Sequence, residues 1–132
     1  MTFQPAPVMY PDAELLLTGA FRAELVAAGE VGVTVARKIP NPRTSRMVII
    51  TRDGGAVGEL RDRPRVRIRV WDTTDQKATD LARRVVAIGL GLPLGGYVLR
   101  AEHLSGPYDV ADASETPQRY VLFEFHTRGV SP

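Results

Sequence analysis

From Pro64 to Trp71 the chain alternates almost without a break: Val66, Ile68 and Val70 are apolar, while Arg65, Arg67 and Arg69 between them are charged. A period of two is that of a strand resting one face on a core. Trp71 falls on the arginine side, so the pattern sets its indole over part of that face or against Arg69. Asp72-Thr73-Thr74-Asp75-Gln76 follows as a helix start. Thr73 is the expected N-cap, Gln76 completes a capping box, and Asp75 lies at the positive end of the helix dipole. Ala78, Leu81, Ala82, Val85, Ile88 and Leu92 then recur at helical spacing, with Asp80 and Arg84 placed to pair one turn apart. Gly89 and Gly91 weaken this helix, Pro93 ends it, and Gly95-Gly96 turns the chain.

The remaining segments arrange themselves around that unit. Residues 1–10 hold two prolines and no periodicity and read as an arm. Asp12 suits the first turn or the cap of a helix whose body, Ala13 to Ala28, is rich in Leu and Ala, with Gly29 as its stop. Glu14, Thr18 and Arg22 make a narrow polar stripe on it, and Leu15, Leu16, Leu17, Phe21, Leu25 and Val26 cover most of the rest. Such a helix packs on one broad core face or on two sides, the second being another subunit. Gly32 to Arg37 alternates as a strand, Ile39-Pro40-Asn41-Pro42-Arg43 breaks it, and Met47 to Thr51 reads as a strand buried on both faces. Asp53-Gly54-Gly55 supplies a turn, and 56–63 is a connection with extended character. Tyr97 to Leu104 and Gln118 to Thr127 are the last two strands. The polar, acidic 105–117 between them is a hairpin loop long enough to project or to order on a partner, and 128–132 is a tail.

The order helix, strand, strand, strand, helix, strand, strand predicts one α+β domain over 1–132. It would be a two-layer sandwich: a mainly antiparallel sheet of about five strands with both helices on one face. The length of 132 residues and the apolar fraction of 44% suit a single core. No apolar run approaches the roughly 20 residues of a membrane span. The N-terminus lacks the basic start and apolar stretch of a signal peptide, which makes an intracellular protein the default. With no cysteine, disulfides and thiolate metal sites are excluded.

Charge alters this picture more than composition does. The formal net charge is +2, yet residues 37–69 hold ten basic against three acidic residues, a net +7 that leaves −5 elsewhere. A basic middle with acidic flanks fits contact with nucleic acid, or a subunit whose one surface meets another surface of its neighbour. Arginine outnumbers lysine fifteen to two, which a GC-rich genome would also produce. If the central strand extends back past Pro64, Arg61, Arg63, Arg65, Arg67 and Arg69 share one face with Trp71. That face is either solvated and paired with acids across the sheet or on a neighbour, such as Glu102 or Glu124, or turned to a pore or DNA, or a nucleic-acid platform. Single-strand and RNA platforms interleave aromatic residues for stacking, and here Trp71 stands alone.

Catalytic chemistry is scarce. His103 and its neighbour Glu102 point to opposite faces of a strand, whereas Glu124 and His126 share one and form the best acid–base pair available. Ser45, Ser105 and Ser114 have no base in view. The glycines at 89, 91, 95 and 96 end a helix and do not lead a strand into one, so no phosphate loop is expected. The expectation is a non-enzyme with no cofactor, no catalytic residue and no metal site.

Several short motifs carry a resemblance along nearly the whole chain: Pro11-Asp12-Ala13-Glu14-Leu15, Ile39-Pro40-Asn41-Pro42-Arg43, Arg63-Pro64-Arg65-Val66 leading to Trp71, Ser105-Gly106-Pro107, and Arg119-Tyr120 to His126-Thr127-Arg128-Gly129. In these the chain resembles the tail terminator proteins of long-tailed, siphovirus-type phages of actinobacteria. The resemblance implies a ring, usually a hexamer, at the head-proximal end of the tail tube. Such a ring stops polymerisation of the major tail tube protein, docks the head–tail connector or stopper, and lets phage DNA pass on ejection. The implied location is the tail–neck junction of the virion, after assembly in the host cytoplasm. Other neck proteins, stoppers or adaptors, have similar sizes and remain an alternative, as does a nucleic-acid-binding module using the 61–69 strand. On the ring reading, Arg61, Arg63, Arg65, Arg67, Arg69 and Trp71 are candidates for lumen, DNA or subunit contacts. Pro40, Asn41, Pro42 and Arg43, with Asp109, Asp112 and Glu115, are candidates for partner-contact loops.

Overall fold

Hydrophobic periodicity sets the elements, and the computed structural model shows how they close into two layers. The structure describes residues 8–57, 61–94 and 96–129. Helix α1 spans Ala13–Ala27, and strands β1, β2 and β3 span Thr34–Ala36, Met47–Val57 and Arg61–Trp71. Helix α2 spans Asp75–Gly91 and runs into a single 3-10 turn, Leu92–Leu94. Strands β4, Val98–Asp109, and β5, Gln118–Arg128, complete the chain. The sheet order is β1-β2-β3-β5-β4. Every neighbouring pair is antiparallel except β1–β2, which is parallel. Since β3 and β4 both run against β5, α2 is the crossover of a split β-α-β unit, and β5 returns into the gap. This is the α+β arrangement read from the sequence. Of the expected arm and tail, residues 1–7 and 130–132 lie outside the described residues, as do 58–60 in the β2–β3 connection.

Both helices pack on one face of the sheet. Leu17, Phe21 and Leu25 of α1 and Leu81, Ala82 and Val85 of α2 meet Val48, Ile50, Val66, Ile68, Val70, Val98, Val121, Phe123 and Phe125, all essentially inaccessible to water. Each such aliphatic or aromatic side chain contributes about 1.5–3 kcal/mol of transfer free energy. No helix among the described residues is long and apolar enough to cross a membrane.

Several local expectations are corrected by competing contacts. The N-cap of α2 is Thr74, which accepts from the Lys77 N–H at 3.1 Å. Thr73 is displaced from that role because the buried Asp72 carboxylate takes its N–H at 2.6 Å. Gln76 donates to Asp80, and Arg84 leaves Asp80 to reach Glu30 at 2.9 Å. Asp53-Gly54-Gly55 is no turn: β2 continues through it as a bulge between Arg52 and Gly55. Gly55 sits so close to β3 that a Cβ there would lie 2.2 Å from the Arg63 carbonyl oxygen. Likewise β4 runs on through Ser105-Gly106-Pro107 to Asp109, its register shifting as it goes, and the true loop is only 110–117. Sequence patterns miss such bulges because they insert residues without ending the ladder.

The polar stripe of α1 runs along the sheet edge, from the half-buried Glu14 through the buried Thr18 to the exposed Arg22. Glu14 accepts from the Arg52 backbone N–H at 2.7 Å, Thr18 is buried, and Arg22 donates to the Val35 carbonyl at 2.7 Å. The helix buries a single stripe, Ala13, Leu17, Thr18, Phe21 and Leu25, and leaves Leu15 and Val26 in solvent. Asp12 caps it as expected, and Gly29 (φ 82°) closes it with the Glu30 N–H returning to Leu25.

Candidate functional site

Opposite the helices the sheet carries the residues singled out by charge. Pairing of β3 with β5 keeps one register from Arg61↔Arg128 to Trp71↔Gln118. The strand therefore extends back past Pro64, and the five arginines project from one face. Tyr120, Leu122, Glu124 and His126 of β5 alternate onto the same face, and Tyr108 of β4 packs on Tyr120 with ring centroids 5.8 Å apart. Their period of two was the sequence signal that would have added them to the site.

The face has three zones. At the β3 C-terminus Trp71 is not a surface ring but is fully buried, together with Met47 and Ile49 and beside Ala36 and Ile39. This second cluster explains why β2 starts with residues buried on both sides. The two predicted partner loops cover it and join each other: Arg43 lies over the indole, 5.5 Å from its centroid, and pairs with Asp112 at 3.2 Å. Arg69 reaches the same ring at 5.4 Å. The 110–117 loop, long enough to project or to order on a partner, here lies down on its own body, because a half-exposed Trp71 would leave much of its apolar area in water. Pro40, Asn41 and Pro42 sit in the covering segment, Asn41 and Pro42 exposed, while Asp109 and Glu115 stay open to solvent at its rim.

Asp112 is held below the ordinary aspartate range. Partial burial pushes its carboxyl up, but the Ser114 hydroxyl and N–H and the Arg43 guanidinium outweigh that. A depressed acid stabilises the fold above its ordinary value, about 3.9, and that contribution is lost as pH falls through the lower folded value. Trp71 is the sole tryptophan, so it reports on the clamp. Arg43→Ala is expected to red-shift its emission and raise its quenching by acrylamide, at a stability cost below about 1 kcal/mol. The parent protein should show the same shift as pH falls past the ordinary aspartate value, about 3.9, and through the lower folded one. Unchanged quenching in the variant would remove the clamp from the account.

In the middle zone Arg67 and Arg69 are half-buried, each lying over a ring, Tyr120 at 5.6 Å and Trp71 at 5.4 Å, with their Nε atoms buried and unpartnered. Burial pushes the Arg69 guanidinium down from its ordinary value, and the nearby charges of Arg67 and Arg43 add to this. At the far end Arg61, Arg63 and Arg65 are exposed. Pairing with acids across the sheet, one of the readings open for this face, does not occur among the described residues. Among the described residues no arginine of this row forms an ion pair with a carboxylate, although Arg65 stands opposite Glu124. The acids are engaged elsewhere: Glu124 with His126 at 3.1 Å, Glu102 with Arg100 at 2.7 Å, and Asp62 with Arg52 on the helix side at 2.6 Å.

Glu124 and His126 do share a face, as the strand period requires. With Glu102 they bring one ligand atom each within 4.8 Å, a cluster able to hold a metal ion. The charges around it oppose that use. Arg61 donates to His126 Nδ1 at 3.3 Å, so the proton sits on Nε2 and is donated to Glu124. A cation would have to displace that proton and the Arg61 and Arg100 contacts, within a field of unpaired arginines. His103 lies on the helix side, against Phe123 at 5.3 Å and the Ser105 carbonyl. Among the described residues the Ser45 and Ser105 hydroxyls form no hydrogen bond to a base, and Ser114 only ties the 110–117 loop together through Asp112 and Thr116.

Sequence reasoning did not foresee the ion network at the other end of the sheet. Arg46 reaches Glu30 at 2.7 Å, Asp72 at 3.1 Å and the Val31 carbonyl, and Arg84 shares Glu30. Hydrogen bonding to Glu30, more than offsetting burial, raises Arg46 above its ordinary value. These residues are far apart in sequence, and no local pattern links them. No family model matches the chain, and no curated protein matches it in sequence.

Proposed function

We propose that this chain is a structural assembly protein: a subunit of a ring that caps the head-proximal end of a phage tail tube, ends tube growth and presents the head–tail joining surface. The observation that carries the reading is the unneutralised arginine row of β3. Among the described residues these five cations in line have no carboxylate partner, and the exposed Arg61, Arg63 and Arg65 offer positive charge that a neighbouring subunit can meet. A closing ring needs two different complementary surfaces per subunit, and uneven charge supplies them. The whole-length resemblance described above supports the same reading, with the tail tube protein and the connector as partners and DNA passing through the lumen.

The test is solution mass by light scattering with negative-stain images, followed by incubation with tail tubes. A centrally holed ring of about six subunits that caps tube ends is expected. A stable monomer that neither caps nor joins tubes would overturn the proposal, and association with portal complexes in place of tube ends would make the protein a stopper or adaptor.

A further inference from the structure

The unpaired cations have a counterpart on the same chain. Asp75, the first residue of α2, and Asp109, the last of β4, both reach the buried Arg119, at 3.4 and 2.8 Å, yet their side chains are 84% and 81% exposed. Two carboxylates therefore share one guanidinium. Glu115 stands beside them, exposed and without an ion pair among the described residues. Together with residues 110–112 and 116–118 these side chains line a shallow cavity of about 370 Å³. The cleft is concave and carries more negative than positive charge, whereas the arginines project from an open strand.

The register keeps the two surfaces apart. Arg119 pairs with Asp109 beside the Trp71 end of β3, while Arg61 pairs with Arg128 at the other end. From Val70, the β3 partner of Arg119, the strand runs five residues to Arg65 and nine to Arg61, about 17 and about 30 Å at about 3.3 Å each. No side chain bridges those distances, so within one subunit the acidic cleft cannot neutralise Arg61, Arg63 and Arg65. Between two subunits arranged head to tail it can.

We infer that the Asp75–Asp109–Glu115 cleft of one copy receives the exposed end of the arginine row, Arg61, Arg63 and Arg65, of a second copy. This rests on the ring reading and names its two contact surfaces. A second copy is favoured over nucleic acid because Tyr120 and Trp71 are already covered by Arg67 and Arg69. The open ring on this face, Tyr108, stands level with Arg69, and Tyr97 lies under Arg128, so among the described residues Arg61, Arg63 and Arg65 have no open ring beside them on which a base could stack. Alternate residues on a strand also present their charges about 6.6 Å apart, a spacing that side chains on three separate elements can meet.

Charge reversal tests this with the full chain. One variant carries Arg63→Glu and Arg65→Glu, making both of its surfaces acidic; the other carries Asp75→Lys and Glu115→Lys, making both basic. Each alone should fall about sixfold in mass, from ring to monomer, because each subunit now repels its own kind. Mixed one to one, they should regain the particle, since both kinds of junction in an alternating ring are attractive. Misfolded variants would not recover on mixing, and far-UV circular dichroism with thermal melts checks the fold of each. If the parent forms rings and each variant alone does so equally well, this interface is wrong while the ring reading stands. If folded variants dissociate but fail to reassemble together, the pairing of these two surfaces is overturned. A parent that stays monomeric and caps no tube overturns both. Steeply salt-dependent binding of an oligonucleotide, lost with Arg63→Glu and Arg65→Glu, would give the face to nucleic acid and overturn the assignment to a second copy.

Discussion

Asp62→Ala is expected to lower the unfolding free energy by about 3 kcal/mol, read from the denaturant midpoint at constant slope. Asp62 is 1% exposed and takes both guanidinium nitrogens of Arg52, at 2.6 and 2.7 Å, across the β2–β3 pair. Removing the carboxylate strands a part-buried charge whose other acceptors are the Gly54 and Gly55 carbonyls. Hydrogen bonding to Asp62, more than offsetting burial, raises Arg52 above its ordinary value, in line with a guanidinium that depends on this partner. Asp53, exposed on the same strand, serves as the control, and Asp53→Ala should stay within about 0.5 kcal/mol. A loss below about 1 kcal/mol for Asp62→Ala would show that the pair is dispensable. The consequence reaches the candidate interface, because this pair fixes the end of β3 that carries Arg61, Arg63 and Arg65. Assembly should weaken in Asp62→Ala even though no charge on the outer face has changed.

Gly89→Ala and Gly19→Ala should move stability in opposite directions. Both sit inside helices, where alanine ordinarily gains about 1 kcal/mol over glycine. At Gly19 nothing lies within 4 Å of the place an added methyl group would take, so the gain should appear as about 0.5–1 kcal/mol. At Gly89 a Cβ would lie 2.6 Å from Phe123 Cζ, inside a core where Phe123 also stacks on Phe125 at 5.1 Å. The ring cannot withdraw without disturbing its neighbours, so overpacking of about 1–3 kcal/mol should exceed the propensity gain. Equal and favourable shifts at both positions would show that Phe123 has room to yield. Gly89 reads in the sequence as a weak point of α2. In the fold it is the place where the helix backbone comes down on the sheet.

The elements themselves were legible because they are written in local periodicity. Val66, Ile68 and Val70 against five arginines specify a strand and its two faces, and Asp12 and Gly29 mark the ends of α1. Bulges at Arg52–Gly55 and beyond His103 were not legible, since glycine and proline there punctuate a strand without ending it. The fate of Trp71 was only half visible. Its side of the strand and its contact with Arg69 follow from alternation, but its burial depends on two loops, 37–46 and 110–117, that meet through Arg43 and Asp112.

The sequence by itself determined the α+β order, the shared face of Arg61, Arg63, Arg65, Arg67 and Arg69, and the excess of positive charge in the middle of the chain. Each is a matter of spacing and composition within a single segment. Only the tertiary structure decided whether that charge is neutralised. Glu102 and Glu124 lie on the right strands, yet Arg100 and His126 hold them, and Asp62 turns to the helix side to meet Arg52. Ion pairing is settled by contacts of about 3 Å between side chains, and periodicity fixes which face they share but not which of several neighbours each one takes. The same holds for the acidic cleft, which exists because the start of α2 and the end of β4 converge on Arg119.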